Sequence, residues 1–143
     1  MERGEVLSVV RSQRGVSDME FLNTARKLEI FTIQKCVNTI PKRYTFYIGQ
    51  HLAESATAVY SNVKKANSVY PSNPHEVQIR RDYFIKAYVE LQSLISQIEV
   101  AYELLHFDTK VLEEWSALIA TEISLVKGML EKDKERYKKL LQQ

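Results

Sequence analysis

The chain has 143 residues, 45% of them hydrophobic and 27% charged, with a formal net charge of +2. That suits one domain with its own core, and the charge alone is too small to argue for a nucleic-acid partner. With 4 glycines and 3 prolines an all-β fold built on many turns is disfavoured, and Cys36, being alone, supports no disulfide framework and points to a reducing cytoplasm.

No run approaches the ~18 apolar residues of a membrane span and no signal-peptide core stands at the start, so no membrane association is expected. Residues 1–16 hold a short β-prone run, Val6-Leu7-Ser8-Val9-Val10, and are expected to form an N-terminal arm. The domain proper is expected over 17–143. Ser17-Asp18-Met19-Glu20 has the spacing of a capping box and predicts a first helix over 18–39. Its apolar residues fall on two faces. Leu22, Ile30, Ile33, Val37 and Ile40 mark one, and Phe21, Ala25, Leu28 and Phe31 the other. A helix apolar on two sides needs cover on two sides, which suggests a subunit interface.

Pro41 breaks the chain, and a second helix is predicted over 42–70 before Pro71. Its apolar columns are Thr45/Leu52/Val59/Ala66, Gly49/Ala56/Val63/Tyr70 and Phe46/Ala53/Tyr60/Asn67, with Gly49, Ala53 and Ala56 small enough for close approach of a neighbour. The third helix, over 73–106, starts on Asn73 as N-cap, Pro74 in the first position and Glu76 three residues after the cap. Val77, Phe84, Leu91, Ile98 and Leu105 recur every seven residues, flanked by Ala87/Leu94/Ala101 and Tyr88/Ile95/Tyr102. Arg80 and Arg81 interrupt this stripe. Either the two guanidinium groups snorkel to water along their apolar stems, or they line a polar site that holds an acidic side chain or a phosphate. Asp108 caps a fourth helix over 109–141, whose core column Trp115/Glu122/Met129 contains a carboxylate that must find a donor or keep its proton.

Four helices on short links predict an all-α, antiparallel up-down-up-down four-helix bundle. That topology gathers Lys64, Lys65, Arg80, Arg81 and the tail Arg136, Lys138 and Lys139 at one pole, with Asp133 and Glu135 level with the two arginines. The far end carries Glu99, Glu103, Asp108, Glu113 and Glu114, relieved mainly by Lys42, Arg43 and Lys110. A positive pole is what a phosphate backbone binds, and a protein–protein scaffold without nucleic acid is the competing reading. Catalytic and metal chemistry is not expected. His51, His75 and His106 share no spacing, the single Glu103-x-x-His106 falls short of a di-iron set, and no phosphate loop or cofactor motif is present.

The segment PKRYTFYIGQHLAESATAVYSNVKKANSVYP, then HEVQIRRDYF and KDKERYKKLL, resembles a bacterial four-helix-bundle family. It includes proteins encoded in intervening sequences of large-subunit ribosomal RNA genes and the accessory variability determinant (Avd) proteins of diversity-generating retroelements. PKRY and the Ala66-Asn67-x-x-Tyr70 pattern look closest to the retroelement branch. The resemblance implies a non-enzymatic homopentamer with a basic surface that binds template-repeat RNA and a reverse transcriptase, supporting mutagenic cDNA synthesis; DNA is the alternative nucleic-acid partner. Lys64, Lys65, Arg80, Arg81, Arg136, Lys138 and Lys139 are the residues expected to carry nucleic-acid binding, with Lys42 and Arg43 as a second group.

Overall fold

Asn73 starts the longest helix as its sequence directs. Its Oδ1 accepts from the Glu76 amide at 2.9 Å, and Pro74 takes the first helical position. The Glu76 carboxylate turns back to accept from the Ser72 amide and hydroxyl at 2.8 and 2.7 Å, one residue earlier than a simple capping box would place it. Those bonds, the hydroxyl's first, hold the Glu76 carboxyl below its usual range. The computed structural model describes residues 19–142, and among them there is no strand. The helices are α1 (Glu20–Asn38), α2 (Gln50–Ser68), α3 (Pro74–Leu105), α4 (Thr109–Arg136) and the short α5 (Lys138–Leu141). The arm expected at 1–16 and the Ser17-Asp18 start signal lie outside the described residues.

Two expected helices change course. The second does not run unbroken from residue 42. Lys42–Tyr44 form a 3-10 turn and Thr45–Gly49 a π turn before α2 begins. Pro41 opens this stretch, its carbonyl accepting from the Tyr44 amide at 2.9 Å, and the Cys36 thiol donates to the Gly49 carbonyl at 3.2 Å. Burial pushes that thiol up to about 11, so it keeps its proton at neutral pH. Gly49 is not needed for close approach: an added Cβ would sit 3.8 Å from Cys36 and Ile40, an ordinary contact. At the other end of the chain α4 stops at Arg136, and Tyr137 separates it from α5.

Helix α1 packs on α2 and α4, α2 on α3, and α3 on α4. Phe21 near the start of α1 meets Phe84 in the first half of α3 edge to face, centroids 5.6 Å apart. Trp115, early in α4, donates its indole N–H to Thr32 late in α1 at 2.9 Å. Around Trp115, Phe31, Phe107 and Tyr102 make a chain of ring contacts where α3 turns into α4. His106 takes the left-handed conformation at that turn, φ 47°, and donates its amide to Tyr102. The seven-residue columns are the core: Val77, Phe84, Ala87, Leu91, Leu94, Ile98 and Ala101 of α3 are buried, with Leu52, Ala56, Val59, Val63 and Ala66 of α2. In α1 only the Phe21/Ala25/Leu28 face is buried, joined by Thr32, while Ile30, Ile33 and Val37 face out.

Glu122 lies on the buried face of α4 with no exposed surface, and among the described residues neither carboxylate oxygen has a partner. Loss of hydration pushes its carboxyl up to about 9, so it is a neutral acid at pH 7. The unfolded chain gives up this proton near pH 4.5 and the folded chain keeps it to about pH 9. Folding therefore takes up a proton between those values, and stability falls as pH rises, by up to about 1.4 kcal/mol per pH unit. Urea unfolding of the Glu122→Gln variant between pH 5 and 9 should lose this slope, and a slope unchanged from wild type would show that Glu122 titrates normally.

Candidate nucleic-acid interface

The α3 stripe turns polar at Arg80, and the side chain goes inward. It is 3% exposed. Its Nε donates to Asp133 Oδ2 at 2.6 Å and Nη2 to Asp133 Oδ1 at 3.3 Å, a two-pronged grip on a carboxylate from the end of α4. Nη1 donates to the carbonyls of Ala66 and Val69 at 3.1 and 3.2 Å. Those carbonyls sit where α2 ends, since Val69 is already extended, and the last carbonyls of a helix have no partner within it. One guanidinium thus closes the end of α2 and ties it to α3 and α4. Phe84 and Tyr137 put their rings 5.2 and 5.9 Å from it.

This corrects the expectation that Arg80 contacts nucleic acid, and it also excludes snorkelling for Arg80. The anion Arg80 holds is the chain's own Asp133. Arg81, half-buried, does not share that site, and no ion pair joins it to Glu135 among the described residues. Arg136 has one nitrogen 3.8 Å from Asp133 while its side chain stays 43% exposed, so it faces both the buried pair and the solvent.

Through its contacts with Ala66 and Tyr137, Arg80 brings the exposed Lys64 and Lys65 and the exposed Lys138 and Lys139 to one pole. None of these four lysines is in an ion pair among the described residues, whereas Lys134 spends its charge on Glu131 at 3.3 Å. Lys64 lies over the Tyr60 ring, and Lys65 and Lys86 both lie over Tyr83, at 5.2, 5.9 and 5.3 Å. Lys64 and Lys65 border a groove of about 470 Å³ between α1 and α2, with Tyr60, Ser61, Thr57 and Glu29 on its walls. Glu29 is the unfavourable element for an anion there, although it accepts a hydrogen bond from Thr57 at 3.2 Å.

Lys42 and Arg43 are exposed in the 3-10 turn at the far end, Arg43 lying over the Tyr44 ring at 5.2 Å. Residue-counting placed Phe46 in the core, but it is 70% exposed, and Tyr47 beside it is 74% exposed. The π turn between Phe46 and α2 has an extra residue, so a column counted at α-helical spacing loses register there. Only the break at Pro41 hinted at this. Lys86 was also missed, and its place one turn beyond Tyr83 was the available signal.

Compared with protein-family models, curated proteins and solved structures, the chain matches none. Among the described residues no helix is long and apolar enough to cross a membrane, and no group of three His, Cys, Asp or Glu could hold a metal ion.

Removing one partner of a buried ion pair strands the other. Arg80→Ala should cost about 3–5 kcal/mol in urea unfolding. Arg80→Lys should recover only part of that loss, because an ammonium cannot meet the carboxylate and both carbonyls in one plane. Loss of RNA retention with unchanged stability in Arg80→Ala would overturn the internal role.

Proposed function

We propose that this chain is an up-down-up-down four-helix bundle that serves as a non-enzymatic RNA-binding accessory subunit of a reverse transcriptase. The kind we have in mind belongs to diversity-generating retroelements. The bundle reading rests on the packing order, in which each long helix borders its sequence neighbours and the first meets the last. The observation that carries the RNA reading is the pole of uncompensated cations. Lys64, Lys65, Lys138 and Lys139 stand exposed beside the inward Arg80–Asp133 pair, so the chain's own carboxylate is satisfied from within and does not neutralise them. Arg136 joins them at the rim. Such a surface reads phosphates rather than sequence, and DNA would be held by the same contacts. The reverse transcriptase as partner and the pentameric state come from the family resemblance of PKRY, HEVQIRRDYF and KDKERYKKLL.

An apolar face on α1 favours a second reading, a helical protein–protein scaffold. Ile30, Ile33 and Val37, one to two turns apart on the same side, are 43%, 41% and 75% exposed. The two readings are compatible if this face joins copies of the chain while the pole binds RNA.

Two outcomes test the proposal. The affinity of the full chain for RNA should fall steeply with salt. Replacing Lys64, Lys65, Lys138 and Lys139 by alanine should make the log–log slope shallower by about 0.7 per lost contact on a single strand. A wild-type chain that retains no RNA at low salt would refute the reading. For the α1 face, Ile33→Glu should reduce the mass seen by light scattering to the 16.6 kDa of one chain. A wild type that is already monomeric would remove the oligomer from the account.

A further inference from the structure

The far end of the molecule carries a feature that the basic pole does not use. Phe46 and Tyr47 are consecutive, both largely exposed, and set edge to face with centroids 5.6 Å apart and planes at 89°. Neighbouring large aromatics in an amphipathic helix are usually split between core and surface. Here the π turn releases both outward. Lys42 and Arg43 stand four residues before them, about one turn, and neither is in an ion pair among the described residues. Beyond Tyr47 a groove of about 330 Å³ runs between the start of α2 and the later half of α3. Tyr47 and Val100 form apolar walls, with His51, Ser93, Ser96 and Gln97 completing them. Gln97 is held in place there by bonds from its Nε2 to Ser55 and Ser93 at 2.8 and 3.0 Å.

The geometry points to a stacking subsite for unpaired bases of single-stranded RNA, in which Phe46 and Tyr47 present the ring faces, Lys42 and Arg43 meet the flanking phosphates, and the groove receives one base edge. This rests on the RNA-binding reading above and adds to it a preference for single strands. Ring faces beside unpaired cations are the combination by which proteins hold single strands without reading sequence. The groove distinguishes this occupant from an apolar partner helix. Such a helix would cover the His51 imidazole and leave Gln97 Oε1 without the donor it lacks among the described residues, whereas a base edge carries donors and acceptors for them. A duplex cannot use the rings, because its bases are already stacked and paired, although its phosphates still meet Lys42 and Arg43.

The test compares a labelled single-stranded RNA of mixed sequence, about 20 nucleotides as a probe long enough to span several stacking sites, with the same RNA as a duplex. Binding to the full chain is measured at one fixed salt concentration. Wild type should prefer the single strand. The F46A/Y47A variant should bind the single strand about tenfold or more weakly and the duplex as wild type does. F46W/Y47W, which keeps the ring faces, should restore the preference, and K42A/R43A should weaken both forms alike. Both aromatic side chains are exposed, so the melting temperature of F46A/Y47A should stay near that of wild type. A wild type that binds RNA with no loss in F46A/Y47A overturns the subsite and leaves the basic pole standing. A change in solution mass with unchanged RNA binding overturns it in favour of a protein contact. A wild type that binds neither RNA refutes both.

Discussion

A guanidinium taken out of water has to be met by acceptors, and at Arg80 four of its five N–H groups are. One carboxylate and two main-chain carbonyls converge on it from α4 and from the end of α2, with rings nearby on two sides. Taking a charged side chain out of water costs several kcal/mol, which good geometry and full pairing offset. Three helices must then stop and start in fixed relation to one another for the pairing to close. The positions of Lys64 and Lys65 just before Ala66, and of Lys138 and Lys139 just after Tyr137, follow from that constraint. In this account the surface charge is arranged by an interior ion pair.

Glu122 is the counter-example in the same core. Among the described residues it has no donor, so it keeps its proton and is buried as a neutral acid. An interior carboxyl left without partners is a standing cost. Asp133, about three helical turns further along the same buried face, escapes that cost because Arg80 reaches it. The contrast separates a polar group that fixes an arrangement from one that only tolerates it.

Much of the fold was legible in the sequence, because its long helices repeat their apolar residues regularly. The α3 stripe from Val77 to Ala101, its Asn73 cap and the Asp108 cap of α4 are where the pattern put them. Legibility failed wherever the regular period did. The π turn shifted Phe46 from an expected core position to the surface, and Tyr70, counted on a core stripe, is exposed beyond the extended Val69. Arg80 was visible as an anomaly, and Asp133 was seen to lie level with it. Periodicity alone could not tell whether their shared side faced water. That depends on where α2 ends, which is a matter of three-dimensional closure. The α1 helix shows the opposite case: two apolar faces were evident, but only packing shows that the Phe21 face is inside and the Ile30/Ile33/Val37 face is out.

Arg80 and Asp133 act as one unit inside the molecule. A double-mutant cycle on folding stability tests it directly, using urea unfolding of R80A, D133A and the double variant. Strong non-additivity is expected, with the double variant losing little more than either single one and a coupling of about 3 kcal/mol or more. Losses that add to within about 0.5 kcal/mol would contradict it.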